Sequence, residues 1–420
     1  MKYENENIKL TKIKIKSNRK RQNKNNFYKY IFFILSIIIF IFGYSTCYFL
    51  HSFNKNKDNF NINSNPIKIN KNNENNYSKQ KLIEQIDKIF KKNHKVNINS
   101  IEKEIVPSYN ENKNESIKNI IHIEFTLDTN FILETMVTVS SIMATQDITT
   151  KIIFHFGVIN DFSAEHMLKM YELRERINNL TEFNFYYLLG AMEKMKGFHS
   201  KGVACPGKFE VPELLPDDVE RILLFDGGDV LVFRDLSELY NYDMKDYWAL
   251  GTPEPFAVSS QNNNNTKFIN IGSTLINVKE LKKMHFWETY VNNKHLAKNS
   301  VVKDQVLFNI LIPDNRKNFF PFRFGSYTQY STNYRSDHFQ FLNYGFQDWL
   351  KSDLSKSMPE KPGSIFELMT QLYNPVFIHQ LDAKWMDGGG LSIYRFIAKY
   401  FIQLAGIWEE LCHKRPGFCK

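Results

Sequence analysis

The stretch RILLFDGGDVLVFRDLSELY, Arg221 to Tyr240, sets two aspartates and two glycines between apolar runs, with a third aspartate after the second run. A single acid at a strand end is ordinarily a turn former or a helix cap. Two acids within four positions, flanking glycines and bracketed by buried strands, describe something else: carboxylates held where a bare backbone lets a large ligand approach. Side chains alternate along a strand, so Asp226 and Asp229 would face opposite sides of a regular one. The expectation is that Gly227 and Gly228 adopt positive φ and bulge the chain, turning Asp226 back toward Asp229. Asp235 has a plainer reading, as the N-cap of DLSEL with Glu238 closing a capping box.

Upstream of this stretch, IIHIEFTLDT, KIIFHFGVI and EFNFYYLL read as strands. Between them, NFILETMVTVSSIMATQ and SAEHMLKMYELRERINNL carry apolar residues at helical spacing, the second opened by Ser163 as N-cap. Strand and helix in alternation predict an α/β domain, its mostly parallel central sheet flanked by helices. TKFINIGSTLINV and KELKKMHFWETYV continue it without an internal repeat or second linker, so residues 119–420 read as one domain. The stripe Ile397, Phe401, Leu404, Trp408 and Leu411 predicts a packed C-terminal helix. Ligands of open parallel sheets sit at the carboxyl ends of strands, where the strand order reverses. Thr126 and Asp128 after IIHIEF, and Asp226 and Asp229 after RILLF, are therefore the candidates.

The first quarter of the chain reads differently. Residues 31–50, IFFILSIIIFIFGYSTCYFL, are charge-free and long enough to span a bilayer as a helix. The preceding residues 1–30 are rich in Lys and Arg and the following flank is not, which keeps the N-terminus cytosolic and the bulk of the chain luminal. Residues 51–118 are crowded with Asn, Lys and Ser and read as a disordered stem. The net charge of +9 lies largely in tail and stem, and no basic patch interleaved with aromatics marks a nucleic-acid site. Cys412 and Cys419 flank HKRPGF and are placed to close a small loop in an oxidising lumen. The sequons at Asn76, Asn114, Asn179 and Asn264 agree with that compartment.

RILLFDGGDVLVFRDLSELY also resembles the segment of family 8 glycosyltransferases in which a strand ends in Asp-x-Asp, a second apolar run follows and Asp-Leu-x-x-Leu starts a short helix. The resemblance implies a GT-A nucleotide-sugar-binding fold and transfer of a sugar, with retention, from a UDP-sugar to a glycan or glycoprotein acceptor. It implies a divalent cation, Mn²⁺ or Mg²⁺, on Asp226, Asp229 and His379, the last from FIHQLDAKW. Thr126 and Asp128 then touch the nucleoside, Lys208 of GKFEVPELLPDDVERILLF contacts the donor, and Lys384 meets the phosphates. Asn270 and Gly272 of FINIGSTLINVKEL lie beside the sugar, as do Asp304 and Gln305 of DQVLFN, the pair that implies catalysis. Two departures stand out. The first Asp of the family motif falls here on Gly227, with Asp226 one place early, and HQLDAKW lacks the usual Gly, which the DGGG of Asp387 to Gly390 follows.

A catalytically weak or inactive protein that binds sugar or nucleotide on the same fold is the rival reading, favoured by the shifted Asp. A metal-dependent hydrolase lacks a water-activating base. No G-x-G-x-x-G follows the first strand, which disfavours a dinucleotide oxidoreductase. Membrane attachment through one helix and a Golgi or ER location complete the expectation.

Overall fold

The computed structural model describes residues 73–105, 117–159, 162–177, 180–199, 202–253, 267–300, 302–321, 324–328, 376–380 and 392–415. The 31–50 run, Lys384, Asp387 to Gly390 and Cys419 lie outside these residues. Among the described residues no helix is long and apolar enough to cross a membrane.

Eleven strands are described: β1 (Lys95–Asn97), β2 (Asn119–Leu127), β3 (Thr150–Val158), β4 (Thr181–Tyr187), β5 (Arg221–Phe225), β6 (Val230–Val232), β7 (Ala249–Pro253), β8 (Ile269–Asn277), β9 (Lys317–Phe319), β10 (Gly325–Thr328) and β11 (Phe377–Gln380). Eight form one sheet in the order β1-β4-β3-β2-β5-β8-β7-β9, and β10-β11-β6 form a second. The large sheet is mixed rather than mostly parallel. β4, β3, β2 and β5 run parallel, whereas β8 is antiparallel to both β5 and β7, and β1 is antiparallel to β4. β1 comes from the segment expected as stem, and β8 runs against both of its neighbours although a helix follows it.

Both faces of the sheet are buried, and β5 shows why RILLF is apolar without interruption. Leu223 and Phe225 join one core, with Ile123, Phe125, Phe154 and Phe156. Ile222 and Leu224 join the other, with Leu188, Phe209, Tyr290 and Phe308. The helix Ile132–Thr145 follows β2 and contributes Met136, Val137 and Val139 to the first core. The strand order 4-3-2 reverses direction at β2/β5, so the carboxyl ends of β2 and β5 flank the switch point.

Four further expectations change. The segment expected as stem contributes a helix, Asn73–Asn93, the edge strand β1 and a second helix, Ile98–Ile105. Ile86, Phe90, Val96, Ile98 and Ile101 are core residues, and the compact unit runs from Asn72 to Lys420. KELKKMHFWETYV is two helices, Val278–Lys283 and Phe286–Asn292, broken where His285 takes a φ of 49°. The C-terminal helix is likewise two, Ser392–Ala405 and Trp408–Lys414, separated by Gly406 at a φ of 69°. Asp235 forms no capping box: the short helix starts at Ser237, and the Asp235 carboxylate accepts from the backbone N–H of Ser237 (2.7 Å) and of Asp147 (2.8 Å).

Candidate functional site

β5 ends at Phe225 and β6 begins at Val230, in the other sheet. The four residues between them make a tight turn, with the Asp229 N–H donating to the Asp226 carbonyl (3.2 Å) and Gly228 at a φ of 86°. The glycines therefore do not bulge a continuous strand; they turn the chain out of one sheet and into the next. Nor is the space they leave open to a ligand. A Cβ on Gly227 would lie 2.2 Å from Thr135 Oγ1, and one on Gly228 would lie 2.5 Å from Glu134 Cβ. The bare backbone is what lets the turn sit on the Ile132–Thr145 helix. Thr138 Oγ1 then accepts from the Gly228 N–H (3.0 Å) and donates to the Val230 carbonyl (2.8 Å), and Ser141 Oγ accepts from the Val232 N–H (3.0 Å).

The turn does achieve the predicted convergence. β11 pairs with β6 so that His379 stands opposite Val230, one residue after Asp229. Ligand atoms of Asp226, Asp229 and His379 lie within 4.8 Å of one another. His379 is buried, and its Nε2 is 4.0 Å from Asp226 Oδ2. Gly272 closes the far side: its carbonyl accepts from the Asp226 N–H (2.9 Å). A Cβ there would come 2.3 Å from His379 Cε1 and 2.4 Å from Asp226 Oδ2. Two carboxylates and an imidazole around a cradle that excludes any side chain fit a divalent cation such as Mn²⁺ or Mg²⁺.

Lys208 is buried beside this group. Its ammonium donates to Asp226 Oδ1 (2.7 Å) and lies 3.8 Å from Asp304 Oδ2. Burial opposes its charge, but Asp226, Asp304 and Cys205 outweigh that and hold its pKa above the ordinary lysine value. Burial likewise opposes ionisation of Asp226, and the Lys208 and His379 charges with the Lys208 hydrogen bond bring its pKa below the usual carboxylate value. Asp304 is lowered too: burial is outweighed by a hydrogen bond from His199 and the Lys208 charge.

Asp304 and Gln305 open the helix Lys303–Leu311, and both are buried. Gln305 Oε1 accepts from the Ile271 N–H (3.3 Å), and Asn270 Oδ1 accepts from the Gly272 N–H (2.8 Å). Asn309 supports the same strand by bonding both backbone groups of Ile269 (2.9 and 2.8 Å). Thr126 is the penultimate residue of β2, and the Asp128 side chain caps the 3-10 turn Thr129–Phe131 by accepting from the Asn130 N–H. The β2/β5 register pairs Glu124 with Leu224, which sets the carboxyl ends of the two strands side by side. The structure thus gathers Asp226, Asp229, His379, Lys208, Gly272 and Asp304 into a contiguous group, with Asn270 and Gln305 bracing it through β8. Sequence reasoning missed Thr135, Thr138 and His199, which gain their positions only from tertiary packing.

These features define an α/β protein with a dication-competent acid and histidine group at the switch point of a mixed sheet. A sequence profile of glycosyl transferase family 8 matches residues 122–343, more than half of the chain. The chain belongs to that family of glycosyltransferases, which transfer sugar from a nucleotide donor. Among solved structures, the bifunctional glycosyltransferase WbbM in its apo form aligns with a TM-score of 0.51 at 14% identity, over 71% of this chain and 52% of that one. The galactosyltransferase LgtC, in complex with donor and acceptor sugar analogs, aligns at 0.48 and 16% identity, over 68% of this chain and 95% of that one. Mouse xyloside xylosyltransferase 1, apo form, aligns at 0.41 and 13% identity, over 63% and 98%. No curated protein matches the chain in sequence. The fold is GT-A-like.

Proposed function

We propose that this glycosyltransferase moves a hexose or pentose from a UDP-sugar to a glycan or glycoprotein acceptor, with retention, and that it does so with a divalent cation, Mn²⁺ or Mg²⁺. The convergence of Asp226, Asp229 and His379 carries the reading. These three residues would hold the cation, which would supply Lewis-acid charge for a departing diphosphate.

The chain's own groups supply the rest. Lys208 keeps Asp226 ionised and oriented, presenting Oδ2 to the site while Oδ1 is engaged. Its charge, with that of Lys384, adds to the positive field at the phosphates. Thr126 and Asp128 receive the nucleoside at the end of β2. Asn270, Gly272, Asp304 and Gln305 line the sugar side, where Gln305 braces β8 and Asp304 offers a carboxylate to a hydroxyl. Retention then follows from reaction on one face, the leaving phosphate taking the acceptor proton. The basic flank and apolar run at residues 31–50 support a single-pass anchor, with the catalytic domain in the Golgi or ER lumen.

The test is a panel of nucleotide-sugars incubated with the full chain, read as nucleotide release with Mn²⁺, with Mg²⁺ and after chelation. Release that depends on the cation, and that falls by several orders of magnitude in Asp229→Asn and in Asp226→Asn, is the expected result. Turnover that survives thorough chelation would remove the cation from the mechanism. Full turnover in Asp226→Asn would remove Asp226 from the ligand set.

A further inference from the structure

Lys208 joins two groups of metal-ligating side chains, and the second shares only Asp304 with the site described above. On its other side stand His199, Cys205 and Asp304, whose ligand atoms also lie within 4.8 Å of one another. His199 Nε2 is 3.2 Å from Asp304 Oδ1, with the two side chains 5% and 10% exposed. Asp304 Oδ2 faces Lys208. Cys205 carries a thiol and no disulfide; it sits on the short helix Ala204–Gly207, which leads directly into Lys208.

We propose that His199, Cys205 and Asp304 form a second cation site, specific for a thiophilic divalent ion such as Zn²⁺, whose occupation inhibits sugar transfer. The donor sets separate the two sites. Imidazole, thiolate and carboxylate are the zinc ligands, and three of them leave a fourth position for water. Asp226, Asp229 and His379 offer no sulfur and suit a harder ion. Binding forms a sulfur–metal bond as the thiol proton passes to solvent, with no change of oxidation state. The inhibition rests on the reading of Asp304 at the sugar: a carboxylate engaged by zinc is withdrawn from a sugar hydroxyl. The new positive charge also sits against Lys208, which orients Asp226.

Cobalt(II) titrated into the full chain tests the site without recourse to activity. Cobalt bound to sulfur absorbs by thiolate-to-metal charge transfer in the near ultraviolet, whereas cobalt on oxygen and imidazole alone does not. The band should saturate at a single equivalent, yield to Zn²⁺ and persist in Asp229→Asn. It should vanish in Cys205→Ser and in His199→Gln. Zinc inhibition of manganese-supported transfer, measured against each protein's own turnover without zinc, should weaken by more than about tenfold in Cys205→Ser, the loss already typical of altered outer-shell partners. A parent chain without the band, or a band undiminished in Cys205→Ser, overturns the site. Zinc that inhibits Cys205→Ser as strongly as the parent overturns the inhibition. A chain that turns over no donor still gives the cobalt result, so that failure would fall on the transfer reading alone.

Discussion

Gly227 and Gly228 are adjacent, yet they are glycine for different reasons. Gly228 has a φ of 86° and lies against Glu134, so a side chain there meets both backbone strain and a neighbour held in the first turn of a helix. At Gly227 the obstacle is a single side chain: Thr135 Oγ1 at 2.2 Å, with Thr135 Cβ and Cγ2 at 3.1 Å. That hydroxyl is buried and has no hydrogen-bond partner. Gly227→Ala should therefore destabilise the protein and loosen metal binding, and Thr135→Ala in the same chain should restore both. Gly228→Ala should resist the same rescue. Urea denaturation with isothermal Mn²⁺ titration of the two single variants and of each combined with Thr135→Ala decides it, and a Gly227→Ala chain that binds Mn²⁺ normally would show that the turn is not held by this contact. At this scale the two acids were legible, because Asp and Gly at a strand end are informative in themselves. Their reason was only half legible. The helix that the glycines face lies some ninety residues earlier in the chain, as the Thr138 to Gly228 hydrogen bond shows, and no local pattern announces such a contact.

The strands β2 and β5 carry the site on their ends, and β2 holds a charge problem in its middle. Glu124 is fully buried, and neither of its carboxylate oxygens has a hydrogen-bond partner. Burial pushes its pKa well above the usual carboxylate value, with the nearby Lys208 charge pulling the other way. The folded state then holds a proton that the unfolded chain has lost. Stability falls as pH rises from the unfolded pKa toward the folded one, by at most about 1.4 kcal/mol per pH unit. Glu124→Gln cannot ionise, so its gain over the parent should be absent near pH 4, grow with pH and reach roughly 1–3 kcal/mol at neutrality. Equal denaturation midpoints for the two proteins across that range would mean that Glu124 is ionised and accommodated. The sequence placed Glu124 in a strand of a helix-flanked sheet, but no local pattern showed that a carboxylate would be enclosed there without a hydrogen-bond partner. β8 was legible as a strand and not as an antiparallel partner of β5, since strand direction follows from connections that local periodicity does not record.

At the scale of the whole molecule, the question is where the folded unit begins. Asn and Lys in residues 51–118 diluted the apolar residues enough to suggest a stem, yet Leu82, Ile83, Ile86, Ile89 and Phe90 recur at helical spacing. Those positions pack into or against the main core. Phe90 meets Tyr187 edge-on at 5.4 Å, β1 covers the edge of β4, and the Asn99 side chain bonds the Thr181 carbonyl (2.9 Å) and the Phe183 N–H (3.0 Å). Ile86, Phe90, Val96, Ile98 and Ile101 are buried in the main core, at roughly 1.5–3 kcal/mol each. Together they rival the ~5–15 kcal/mol by which a domain is ordinarily stable. A chain that starts at Asn72 should accordingly unfold at the same temperature as the full chain. One that starts at Asn119 should expose the β4 edge and the apolar surface beneath it, and aggregate or melt far lower. Phe90→Ala in the full chain keeps the edge paired and isolates the packing, with an expected loss of about 3–5 kcal/mol. Thermal denaturation and light scattering of the three proteins measure this directly. Should the chain from Asn119 stay monomeric with an unchanged midpoint, residues 73–105 are an accessory to the domain and the stem reaches as far as the sequence first suggested.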